Sequence, residues 1–168
     1  MLPRFITFAL LALSLVHASP TPHPPESDVA RRAAPVAVKI TSSQSLTPVV
    51  TFSGTPPLEV LVGQAAAPPG DFGIWERTQL SADQYVFQNL GTGQWITINE
   101  ANNHLVTVDS EANATVFAVE TAGLIDFVIK LPNTDSVWKA LFDGTSPIFG
   151  RIIMSTADGT VGERWTFA

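Results

Sequence analysis

Four short apolar alternations occupy the middle of the chain: Tyr85-Val86-Phe87, Trp95-Ile96-Thr97-Ile98, Leu105-Val106-Thr107-Val108 and Phe117-Ala118-Val119. Each is short and fenced by turn formers, which is how a strand between turns reads. The pattern recurs on either side. Before it, strand starts fall at Val38, Val49, Leu58 and Phe72; after it, at Phe127, Trp138, Ile148 or Ile152, and Trp165. The step from first to second strand is 11, 10 and 11 residues in the three units, and corresponding strands return after 42 to 48 residues. Self-similarity at a near-fixed period is the signature of a repeat architecture.

Three equal four-strand units predict an all-β, closed, pseudo-threefold barrel over residues 33–168, that is, a β-trefoil. Closure removes the free sheet edges that invite aggregation. That matters here because the chain has no cysteine, and small extracellular domains otherwise lean on disulfides. The same zero excludes thiolate metal sites, redox motifs and cysteine nucleophiles. The domain is expected to be a monomer.

Residues 1–32 read differently. Met1 to Arg4 give a charged start, Phe5 to Val16 an apolar stretch too short to span a bilayer, and Val16-His17-Ala18 a small-residue cleavage site. Residues 1–18 are therefore expected to be a secretory signal and the protein to be extracellular. Residues 19–32 hold four prolines and no aromatic residue and end in Arg31-Arg32. They are expected to be a disordered segment, removed by a dibasic-cutting processing protease.

Residues 33–168 keep 6 of the 9 basic and 13 of the 15 acidic residues, a net charge of −7. With no Lys/Arg cluster, neither nucleic acid nor an anionic membrane is an expected partner. Catalysis is narrowed in the same way. His104 is the one histidine of the three that lies beyond residue 32, and no Gly-x-Ser-x-Gly turn accompanies it, so a serine triad has no frame. One histidine is not a zinc ligand set. Gly91-Thr92-Gly93 lacks the lysine and the following helix of a phosphate cradle. The chain is expected to be no enzyme and to need no metal or cofactor. Function is then expected in the loops of a rigid scaffold.

The aromatic residues fall at distinct repeat positions. Phe72, Phe117 and Trp165 share a fourth-strand position and are expected in the core. Trp95 and Trp138, with Val49, share the start of the second strand, and Trp95, after Gly91-Thr92-Gly93-Gln94, is expected at a rim. Trp75 falls outside the repeat and is expected to be exposed. Asn113-Ala114-Thr115 is a glycosylation sequon.

The closing stretch Gly162-Glu163-Arg164-Trp165-Thr166-Phe167 resembles the last strand of ricin-B-type trefoils. With Ser45-Leu46-Thr47-Pro48-Val49-Val50-Thr51-Phe52-Ser53-Gly54 and Gly93-Gln94-Trp95, the chain from about Val36 to Ala168 resembles the small single-domain trefoils of mushroom-forming fungi. That group includes chitin- and fucose-binding lectins and structurally similar serine or cysteine protease inhibitors. The lectin resemblance implies recognition of cell-wall or glycoprotein glycans, with an aromatic residue at Trp95 helping to form the sugar site. An indole stacks on a sugar's C–H face and short amides bind its hydroxyls, so Trp95, Asn102, Asn103 and His104 are the expected contacts. The inhibitor resemblance implies docking on a secreted protease through a surface loop. Its candidate is the proline-stiffened connection Ala65–Asp71, with Ala67, Pro68, Pro69, Gly70 and Asp71 at its centre.

Overall fold

The computed structural model describes residues 33–63, 70–144 and 148–168. The first unit contributes β1 (Val36–Val38), β2 (Ile40–Ser42), β3 (Val49–Val50), β4 (Leu61–Gly63) and β5 (Trp75–Gln79). The second contributes β6 (Gln84–Asn89), β7 (Trp95–Asn99), β8 (His104–Val108) and β9 (Phe117–Thr121). The third contributes β10 (Phe127–Lys130), β11 (Ser136–Leu141), β12 (Phe149–Thr156) and β13 (Trp165–Phe167). β1 and β2 are one expected strand interrupted at Lys39, whose backbone N–H and carbonyl pair with Ala168 at 2.8 and 3.1 Å.

The pairing closes on itself. β1 pairs with β5, β5 with β6, β6 with β9, β9 with β10, β10 with β13, and β13 with β2, all antiparallel. This ring of first and fourth strands is the barrel. The second and third strands form three hairpins, β3–β4, β7–β8 and β11–β12, and these meet through β12–β4, β12–β8 and the Glu59–Val106 bridge. A closed barrel capped by a triangle of hairpins is the β-trefoil.

The core follows the threefold pattern with two corrections to the sequence register. Trp75, expected to be exposed, is fully buried, while Phe72 is half-buried on the 3-10 turn Gly70–Gly73. Similar turns, Glu111–Asn113 and Val161–Glu163, precede Phe117 and Trp165. The turn delays the strand by three residues, so Trp75, Phe117 and Trp165 are the equivalent trio. A matching bond supports this: Trp75 Nε1 donates to Val49 O at 2.9 Å, and Trp165 Nε1 to Trp138 O at 3.2 Å. That bond also makes Val49 the counterpart of Trp138. In the second unit the matching residue is Ile96, fully buried, and not Trp95, which is half-buried one position earlier. Strand side chains alternate faces, so a slip of one residue moves an indole from core to rim.

The third strand of the first unit also shifts. Its paired segment begins at Leu61 rather than Leu58, although Leu58 O and Val60 N already bond to Thr107 N and Leu105 O at 2.8 and 2.9 Å. At the last third strand Ile152 carries the core position inside β12, and Ile148 is exposed. Aromatic packing fills the centre: Trp138 stands edge-on to Phe117 at 5.0 Å and to Trp165 at 5.9 Å, with Phe87 at 5.7 Å.

Candidate functional site

The residues expected to share a glycan site do not assemble. In the β7–β8 hairpin Trp95 pairs with Val108, whereas Asn99 pairs with His104. Four residues of strand therefore separate the indole from the Asn102–His104 turn, about 13 Å at 3.3 Å per residue. The turn is also occupied by its own structure. Asn102 Oδ1 accepts from His104 N at 3.0 Å, and Asn103 adopts φ 59° while its carbonyl accepts from Met154 N at 2.8 Å. Asparagine tolerates the left-handed region better than most residues, which accounts for it there without a ligand. His104 Nδ1 lies 3.4 Å from Glu59 Oε1, and Arg151 spans Glu59 at 3.7 Å and Asp143 at 3.1 Å. This cluster joins all three units at the hairpin cap.

Of the other expected loop, Ala67, Pro68 and Pro69 lie outside the described residues. Gly70 and Asp71 are exposed members of a 3-10 turn, and Asp71 O accepts from Ile74 N at 3.2 Å and Gly91 N at 3.1 Å. Asn113 is exposed at the end of its 3-10 turn, and Thr115 of the same sequon contacts Thr97 through their hydroxyls at 3.0 Å.

A concave polar site lies instead between the second and third units. A groove of about 330 Å³ runs between β9, β10, β11 and the 157–164 segment. Val128, Val137 and Ala157 give it apolar surface, and Thr121, Lys130 and Asp135 put polar groups along it. Lys130 Nζ is 2.6 Å from Glu120 Oε1, and Arg164 Nη1 donates to Ala122 O at 2.9 Å. Asp135 is exposed and its carboxylate has no partner among the described residues.

The wall of this groove is pinned by a buried acid. Glu163 is 2% exposed, and its carboxylate accepts from Asp158 N and Gly159 N, both at 2.9 Å. Lys139 bonds to Asp158 and lies 4.0 Å from Glu163. The Lys139 ammonium, followed by the Thr160 donors, holds the Asp158 carboxyl well below its ordinary range, and the same bond raises Lys139. Sequence reasoning missed Glu163, Thr121 and Asp135. A glutamate before a core tryptophan reads as an ordinary surface acid, and only the fold brings 121, 135 and 163 to one groove. Among the described residues no group of acidic or histidine side chains is arranged to hold a metal ion. Another open concavity, about 350 Å³ beside Ala37, Val38, Ile74 and Ala168, is almost wholly apolar.

No protein-family model matches the chain, and no curated protein sequence does. Solved structures do. The designed threefold-symmetric protein ThreeFoil is 11% identical with a TM-score of 0.66, over 79% of this chain and 97% of its own. A ricin B-like lectin of Macrolepiota procera, solved with lactose, is 13% identical at 0.66, over 80% and 96%. The Rhizoctonia solani agglutinin is 15% identical at 0.65, over 80% and 95%. At these identities the likeness establishes the shared fold.

Proposed function

We propose that the protein is a secreted, non-catalytic glycan-binding trefoil whose site is the groove between the second and third units. The observation that carries the reading is the groove's make-up. It has apolar surface for the C–H face of a sugar, flanked by a hydroxyl, an ammonium and an unpartnered carboxylate for its hydroxyls. Ligand sites need only a few placed polar groups of this kind, and the volume lies in their range. The lactose complex and the agglutinin among the structural neighbours support the ligand class. The signal-like residues 1–18 and the exposed Asn113 sequon support export and glycosylation.

A glycan array followed by titration of the best ligand tests the reading. Asp135→Ala and Thr121→Val should each weaken binding by about tenfold or more, and Trp95→Ala should leave it unchanged. Absence of any glycan signal refutes the function. Loss on Trp95→Ala with Asp135→Ala silent moves the site to the β7–β8 hairpin. N-terminal sequencing of secreted material should begin at Ser19 or Ala33.

A further inference from the structure

Three loops at one side of the barrel are joined directly. Ser43 N donates to Arg164 O at 2.9 Å, Ser43 Oγ to Asp126 Oδ1 at 2.7 Å, and Arg164 Nη1 to Ala122 O at 2.9 Å. These bonds tie the 42–47 turn, the 122–126 turn and the 160–164 segment into one face. The face carries four exposed aliphatic side chains: Leu46 at 79%, Leu124 at 104%, Ile125 at 71% and Val161 at 53%.

Pseudosymmetry shows that the fold does not require them. The 122–126 turn closes through Ala122 N to Asp126 O at 2.8 Å, and the related turn closes through Leu80 N to Gln84 O at the same 2.8 Å. Between those closures the related turn reads Ser81-Ala82-Asp83, where this one reads Gly123-Leu124-Ile125. Likewise Leu46 N donates to Ser42 O and Gly93 N to Asn89 O, each at 2.8 Å. Gly93 takes φ 72° there freely, while Leu46 is held at φ 56°, a region costly for a leucine. Two positions filled elsewhere by polar or flexible residues thus carry exposed aliphatics, one of them under strain. A strained, exposed side chain points to a role outside the fold.

We propose that this face pairs with a second copy of the chain. The 42–47 turn has no charged residue, and Asp126, Glu163 and Arg164 on the other two loops are each hydrogen-bonded within the protein. In a chain of net charge −6, it is a face where two copies meet without charge repulsion. The four side chains amount to roughly 400 Å² of apolar surface, the scale at which a patch on a monomer marks an interaction site. Two copies bury about twice that before rim residues are added, close to the ~1,000 Å² a biological interface needs. A bilayer fits less well, because the 42–47, 122–126 and 160–164 loops themselves contain no tryptophan, tyrosine or lysine to anchor them at a membrane surface. The pairing departs from the monomer expected from the sequence. Ala122 and Arg164 also border the groove, so pairing sets two grooves beside one interface.

Sedimentation velocity of the secreted protein from micromolar to near-millimolar concentration tests this whether or not any glycan binds. A reversible monomer–dimer equilibrium is expected. The triple change Gly123→Ser, Leu124→Ala, Ile125→Asp copies the related turn and so keeps its closure; it should weaken pairing at least a hundredfold. Leu46→Gly, copying Gly93, should weaken it by a smaller factor. A wild-type monomer at the highest concentration overturns the proposal, and so does a triple variant that pairs as tightly as wild type. Wild-type monomer that floats with neutral phosphatidylcholine vesicles would assign the face to a membrane instead and equally overturn it.

Discussion

Three tryptophans lie fully buried in this core, yet replacing each by phenylalanine should cost very different amounts. Every Trp→Phe change removes one fused ring from a packed interior, a loss of about 1–2 kcal/mol through transfer and residual cavity. Beyond that the three part company. Trp75 Nε1 donates to Val49 O at 2.9 Å and Trp165 Nε1 to Trp138 O at 3.2 Å. Removing either donor loses a bond and withdraws a partner from a buried carbonyl, adding about 1–2 kcal/mol. Trp138 Nε1 is buried with no hydrogen-bond partner among the described residues. Its deletion relieves an unsatisfied donor, which offsets most of the ring loss. The expected costs are therefore about 2–4 kcal/mol for Trp75→Phe, slightly less for Trp165→Phe with its longer bond, and about 1 kcal/mol or less for Trp138→Phe. Urea unfolding followed by tryptophan fluorescence and circular dichroism, with slopes compared across variants, measures the differences. A Trp138→Phe variant as unstable as Trp75→Phe would refute the reasoning, because the polar ledger would then not distinguish these sites.

Leu46→Gly should stabilise the monomer by about 1 kcal/mol, since a left-handed leucine costs 1–2 kcal/mol and this one is largely exposed; a urea midpoint that falls would contradict it. Thr107→Val should destabilise by about 2–3 kcal/mol despite equal volume. The hydroxyl donates to Gln94 Oε1 at 2.7 Å and accepts from Leu58 N at 3.2 Å, both lost to a methyl group. The Asp158 carboxyl, depressed below its ordinary 3.8, contributes stability that is present above that value and lost as pH falls below it. Lys139, raised above 10.5, contributes below that value and loses its share as pH rises beyond it. Asp158→Asn should flatten the acid side of a stability–pH curve, and high salt should narrow the difference between the two proteins. Asn113→Gln should abolish a mass excess that an endoglycosidase removes from the secreted protein. It should leave stability within about 0.5 kcal/mol, as expected of an exposed position.

How far the chain could be read in advance depended on what each signal measures. The repeat period measures topology, and it held: three units, closed barrel, three hairpins. It could not fix register. Phe72 and Trp75 both fit a spacing tolerance of several residues, and only the 3-10 turn at Gly70–Gly73, one of three, places the tryptophan at the core position. The equivalence of Trp95 with Trp138 failed for a related reason. Matching tryptophan to tryptophan gave Trp138 the wrong partner, because the buried position is defined by strand alternation, which selects Ile96. The polar sites were less legible still. The Asn102–His104 turn looked like a ligand surface because its residue types suit sugars, yet the same types suit a left-handed turn, and the hydrogen bonds assign them to the turn. The groove joins residues 121, 135 and 163 through a barrel closure that no local window contains. Exposure was invisible for the same reason: only the comparison of Gly123-Leu124-Ile125 with Ser81-Ala82-Asp83 on an identically closed turn separates a side chain kept for the fold from one kept for a partner. In a pseudosymmetric protein the other units are internal controls. Residues that obey the symmetry report on the core, and those that break it at the surface, Leu46, Leu124 and Ile125 above all, are where function is to be sought.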